Sequence, residues 1–220
     1  MSRSGFRWPA GDWRHAQHGA HAARGRSGVR IDWPRTLAAK GMQRLRADHL
    51  RFVREAPARG VLHCFVLDCS GSMLAGARFA LAKGLLAALF ARARADRHEA
   101  ALICFGGVSA DLRFGPAIPR GWSERWLDPI GGGGGTPFAP AIERAARLLA
   151  GAARRKPGQQ RWLWVLSDGR SAGMPVRPDA AHRVVFVDFE SDAVRLGRCA
   201  QLARAWDGEY VTPRQLIAAD

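Results

Sequence analysis

Asp68, Ser70 and Ser72 stand at alternate positions within Leu67-Asp68-Cys69-Ser70-Gly71-Ser72-Met73, and each carries side-chain oxygen. One carboxylate and two hydroxyls are hard donors, and they suit a hard divalent cation better than a soft metal. Magnesium prefers about six oxygens, keeps several waters, and is usually held by only one or two carboxylates. Three side chains therefore leave the shell incomplete. Two later stretches offer further oxygens where a loop meets a strand or helix: Gly131 to Pro137, which contains Thr136, and Trp162 to Arg170, which contains Asp168.

The elements that would position these groups can be read from the apolar pattern. Val61 to Leu67 is nearly all apolar and fits a strand buried on both faces. Gly71 marks a sharp turn, and a helix is expected over 78–94. Its wide apolar face joins a stripe of Phe79, Leu86, Phe90 and Ala93 to an adjacent one of Leu81, Leu85 and Leu89. That order puts the oxygens at the C-terminal edge of a parallel sheet, where open α/β folds place ligands. Arg161 to Ser167 reads as a second central strand that delivers Asp168, so two carboxylates converge from neighbouring strand ends.

The remaining segments complete the pattern. Strands are expected at 100–105 and 111–114, joined by a turn opening on Gly106-Gly107, and a helical turn at 122–126. Pro137 should start a helix over 138–153, with Ala141, Ile142, Ala145, Leu148 and Leu149 inward. A strand at 184–187, a helix over 193–206, a short edge strand at 210–211 and a closing helical turn follow. Strands alternating with helices predict a three-layer α/β/α fold with a mainly parallel sheet and one antiparallel edge strand.

Rival chemistries are disfavoured by the same residues. A phosphate-binding loop needs Gly-x-x-x-x-Gly-Lys-Ser/Thr, and here Thr136-Pro137 follows the last glycine. The serines lack a Gly-x-Ser-x-Gly elbow, and His63, inside the first core strand, reads as a core histidine rather than a general base. No activity of its own is expected.

Taken together, Asp68-x-Ser70-x-Ser72, Gly135-Thr136-Pro137 and Leu166-Ser167-Asp168-Gly169-Arg170 resemble the metal-ion-dependent adhesion site of a von Willebrand factor A-like (integrin-I type) domain. In wording they are most similar to the C-terminal domain of the D subunit of magnesium chelatase and its cobalt-chelatase relatives. The likeness covers residues 60–212, and Ile31 to Leu37 is similar to the segment upstream of that domain. The resemblance implies a Rossmann-like fold, Mg2+ or Mn2+ held by Ser70, Ser72 and Thr136, with Asp68 and Asp168 direct or through water, and an acidic partner residue completing the shell. It further implies a non-catalytic interaction subunit coupling an AAA+ ATPase of the chelatase I type, with a large tetrapyrrole-binding subunit, to Mg or Co insertion. The AAA+-like module and acidic, proline-rich linker that usually precede this domain are not seen here. An adaptor for a MoxR-type AAA+ ATPase in metalloenzyme maturation is the alternative, and a basic nucleic-acid-associated protein a third.

Composition bounds these readings. The chain has 220 residues, long enough for a full core, with 47% hydrophobic residues. No apolar run reaches a membrane span, and no signal peptide is apparent, so a cytoplasmic protein is expected. Cys64, Cys69, Cys104 and Cys199 are scattered and read as core thiols of a reduced compartment. The net charge is +15, and residues 1–60 hold 13 Lys and Arg against 4 Asp and Glu. Residues 1–28, rich in Gly, Arg, His and Ala, are expected to be a disordered basic tail, 29–60 a lead-in segment, and 61–220 the main domain. No aromatic RNA platform accompanies the basic residues, which makes nucleic acid an unlikely partner.

Overall fold

The structure is a computed structural model that describes residues 29–54, 60–127, 137–171, 173–192 and 195–217. The expected tail at 1–28, the glycine run and Thr136 lie outside the described residues. Among these the chain divides into two compact units, 29–54 and 60–217.

In the smaller unit β1 (Val29–Ile31) pairs antiparallel with β2 (Phe52–Arg54). Between them lies α1 (Trp33–Lys40), capped by Asp32, whose carboxylate accepts from the Arg35 backbone N–H at 3.1 Å. Pro34 falls in the first turn, where its missing donor costs nothing. The sequence reads as extended from Val29 to Trp33, but the strand ends at Ile31 and Trp33 already belongs to the helix. The sequence 49–53 reads as a strand, but His49 closes a 3-10 turn over Ala47–His49, its Nδ1 accepting from the Arg46 backbone N–H at 3.2 Å, and the strand begins only at Phe52. A local side-chain bond wins over the weak extended preference of this stretch.

The larger unit is built on a six-stranded sheet. Its strands are β3 (Val61–Asp68), β4 (Glu99–Gly106), β5 (Ser109–Ala117), β6 (Gln160–Ser167), β7 (Arg183–Asp188) and β8 (Glu209–Val211), in the spatial order β5-β4-β3-β6-β7-β8. All neighbours run parallel except the β4–β5 pair, which is antiparallel. The central strands β3, β4 and β6 are buried from their second residue on, as continuous apolar runs require when both faces are covered. β5 runs longer than its apolar pattern, through Gly115-Pro116, because an edge strand tolerates a residue without an N–H.

Helices cover both faces, giving the three layers. On one side α4 (Phe138–Arg155) and α5 (Arg198–Ala205) pack over Leu62, Val66, Ile103, Leu163 and Phe186. On the other, α3 (Arg78–Ala95) and Leu216 of α6 (Pro213–Ile217) cover Phe65, Leu67, Leu102, Trp164 and Val187. In α3 the buried positions are Ala82, Leu85, Leu86, Leu89, Phe90 and Ala93, whereas Leu81, expected inward, is 41% exposed. Helix α4 follows its expected stripe, with Ala141, Ile142, Ala145 and Leu149 buried. Helix α5 is shorter than its sequence pattern: the backbone N–H groups of Leu196 and Gly197 donate to the Glu190 carboxylate, and Gly197 adopts a left-handed φ of 61°.

Candidate functional site

Every expected site residue that is described lies at one edge of this sheet, where β3 and β6 end side by side with Leu67 opposite Leu166. Asp68 closes β3 and is fully buried. Its Oδ1 accepts from the Ser70 backbone N–H at 2.9 Å, and its Oδ2 from the Ser167 hydroxyl at 2.6 Å. Ser167 Oγ in turn accepts from the Gly169 N–H at 3.0 Å. Burial pushes the Asp68 carboxyl up from its usual range, and the nearby Asp168 charge adds to this, while the Ser167 and Ser70 hydrogen bonds oppose it.

The chain then turns into a four-residue helix, α2 (Gly71–Leu74), with Ser70 at its N-cap position. The Ser70 hydroxyl does not cap that helix; it faces the Ser72 hydroxyl at 3.1 Å. Capping alone would have turned it onto the backbone N–H groups of α2. The close approach of β4 helps fix this turn, because the Cys69 N–H donates to Phe105 O at 2.7 Å and a Cβ on Gly106 would stand 2.9 Å from Cys69 O.

Asp168 follows the last residue of β6 and is 1% exposed. Its Oδ1 accepts from the Arg170 backbone N–H at 3.2 Å, whereas its buried Oδ2 accepts no hydrogen bond. The nearest cationic atoms to that oxygen are Arg78 Nη1 at 3.5 Å and Arg170 Nε at 4.0 Å. Gly169, at φ 74°, makes the turn that follows, where a Cβ would meet Arg198 Cβ at 3.0 Å.

The motif reading leaves out the polar rim around these groups. Arg78, the first residue of α3, donates from Nη1 to Ser72 O at 3.1 Å, from Nε to Ser191 Oγ at 2.9 Å, and from Nη2 to Asp192 Oδ1 at 2.5 Å. Arg170 Nη2 donates to the other Asp192 oxygen at 2.8 Å. The two guanidinium groups hold the Asp192 carboxyl below its usual range, the Arg78 hydrogen bond foremost. A single nitrogen of Arg78 thus stands between the Ser72 carbonyl and Asp168 Oδ2. Ser167 was visible beside Asp168 in sequence, but nothing in the spacing of Arg78 or Asp192 announced them.

These observations define what the arrangement can do. A buried carboxylate oxygen without a donor costs free energy unless a cation or proton meets it. With the facing serine hydroxyls, it makes an oxygen donor set compatible with a hard divalent cation. Among the described residues no group of three or more His, Cys, Asp and Glu is placed to hold a metal ion, so a softer nitrogen and sulfur site of that kind is absent there. Thr136, the fifth expected ligand, lies outside the described residues. No histidine hydrogen-bonds either serine hydroxyl among them. His63 sits five residues up β3 from Asp68, about 16 Å along the strand. It is fully buried there, its Nδ1 accepting from the Trp164 indole N–H at 3.2 Å and its Nε2 facing His98 Nδ1 at 3.1 Å.

Residues 64–170 match the von Willebrand factor type A domain family. An uncharacterised protein of Mycobacterium tuberculosis is 35% identical over 78% of this chain and 29% of its own length. The magnesium-chelatase 60 kDa subunit of Rhodobacter capsulatus is 34% identical over 56% of this chain and 21% of its own length. The chain therefore spans less than a third of either relative. Among solved structures, the von Willebrand factor A domain of SpRpn10 superposes with a TM-score of 0.50 at 16% identity, covering 72% of this chain and 92% of that domain. That likeness concerns the fold alone.

Proposed function

From a chain that carries a von Willebrand factor A-type domain resembling that of magnesium-chelatase subunits, we propose a non-catalytic interaction subunit that binds a partner through a divalent cation. The observation that carries the reading is the buried Asp168 Oδ2, which accepts no hydrogen bond and lies one strand away from the paired hydroxyls of Ser70 and Ser72. Asp168, Ser70, Ser72 and Thr136 would hold Mg2+ or Mn2+, with Asp68 directing the loop through its bond to the Ser70 N–H and acting on the cation directly or through water. When bound, the cation supplies an electrophilic position for a carboxylate oxygen. The serine and threonine ligands are neutral, so at most two negative charges offset the metal and a third carboxylate, from another protein, is attracted.

The partner supported by the chelatase likeness is an AAA+ ATPase of the chelatase I type, together with a large tetrapyrrole-binding subunit, in a complex that inserts Mg or Co into the macrocycle. The chain would transmit contact rather than perform chemistry. No helix among the described residues is long and apolar enough to cross a membrane.

The test is capture of the purified ATPase subunit by tagged full-length chain, with Mg2+ and with EDTA. Retention only with Mg2+, and loss of retention in Asp168→Ala, is the expected result. Equal capture in EDTA, or an unaffected Asp168→Ala, would remove the metal bridge. Selective retention of a MoxR-type ATPase instead would move the function to metalloenzyme maturation.

A further inference from the structure

Arg78 is an odd residue to find where it is. It opens an 18-residue helix, so its charge faces the positive end of the helix dipole, an arrangement that is unfavourable unless acidic groups offset it. The offsetting groups are Asp192, paired at 2.5 Å, and Asp168, whose Oδ2 is 3.5 Å from Nη1. Only 15% of the Arg78 side chain is exposed. Its three hydrogen bonds all run to the rim, to Ser72 O, Ser191 Oγ and Asp192, and none to Asp168. The guanidinium thus forms a loose ion pair with Asp168 without hydrogen-bonding it, and is drawn toward the rim by a carboxylate that Arg170 also grips.

We infer that Arg78 is a built-in competitor for the divalent cation at Asp168, and that Asp192, braced by Arg170, is the clasp that holds Arg78 back so the cation can enter. This inference rests on the metal-binding reading proposed above. A guanidinium and a divalent cation cannot share one buried carboxylate oxygen at close range without repulsion, and each is a remedy for the same buried charge. The position of one arginine therefore sets the cation affinity. Strengthening its hold on Asp192 favours the metal, and weakening that hold returns the guanidinium to Asp168. A partner carboxylate arriving at the rim would find Arg78 and Arg170 there as well, so cation binding and partner contact are coupled through one side chain.

The probe is Mn2+ alone, titrated into the full-length chain and read from the loss of its free-ion electron paramagnetic resonance signal. Three proteins are compared: wild type, Arg78→Gln and Asp192→Asn. Arg78→Gln should bind Mn2+ about tenfold more tightly, within the range of ordinary coupling between neighbouring sites. Asp192→Asn should bind several-fold more weakly, because the freed guanidinium settles on Asp168. If Arg78→Gln fails to fold, Asp192→Asn decides by itself. Equal affinity in all three, weaker binding by Arg78→Gln, or tighter binding by Asp192→Asn overturns the role of Arg78 while leaving a cation site standing. Binding in none of the three removes the cation site itself, and this inference with it.

Discussion

Ser167 does the most positioning for its size. Its hydroxyl donates to Asp68 Oδ2 and accepts from the Gly169 N–H, so one oxygen ties the end of β3 to the turn that carries Asp168. Removing it leaves the carboxylate buried with one fewer donor, and loss of a partner that orients a ligand commonly costs about 10–100-fold in metal affinity. Ser167→Ala should therefore weaken Mn2+ binding by about tenfold while far-UV circular dichroism stays native; unchanged affinity would make Ser167 a bystander. At this scale the sequence was informative where residues sit in one contiguous loop. Asp68, Ser70 and Ser72 could be read together because alternate spacing after a buried strand fixes their common edge, and Asp168 because a second strand ends in the same way. Arg78 and Asp192 could not, since an arginine opening a helix and an aspartate in a loop look like ordinary solvated residues until the fold brings them together.

Among elements, the two strand ends matter more than the helices. β4 passes so close to the loop after β3 that a Cβ at Gly106 would press on the carbonyl of Cys69, the residue between Asp68 and Ser70. Backbone cannot yield as a flexible side chain can. Gly106→Ala should cost about 1–3 kcal/mol, as overpacking in a close-packed site does, and should lower Mn2+ affinity in parallel. Chemical denaturation and the Mn2+ titration check the two halves separately; a loss of stability with intact affinity would show that the loop relaxes without disturbing its hydroxyls. The core strands were legible from continuous apolar runs, and α4 from its 3.6-residue stripe. Boundaries set by single hydrogen bonds were not. His49 folds back on Arg46, and Glu190 caps the chain ahead of α5, both through local bonds that periodicity does not encode.

At the scale of the whole molecule, three histidines among the described residues link stability to pH. Burial foremost, then His98 and Arg183, holds His63 well below its usual value. Burial likewise lowers His98, and burial followed by Arg161 and Arg177 lowers His182. In the unfolded chain each titrates near 6.5, so below about that pH the unfolded state binds protons that the folded state does not, and stability falls as pH falls. The fully buried His63 can remove up to about 1.4 kcal/mol per pH unit in that window, and the more exposed His98 and His182 contribute less because solvent screens them. The urea midpoint should drop between pH 7.5 and pH 5.5, and a midpoint that holds or rises would contradict the neutral assignment of the His63–His98 pair. The two ends of the sheet carry a different consequence. At one margin β8 is only three residues long, and at the other β5 includes Asp111, Arg113 and Pro116, the last with no N–H to offer. Short, charged or proline-bearing margins are poor templates for a neighbouring chain to extend. The sheet is thereby poorly suited to fibrous stacking or strand exchange along either margin.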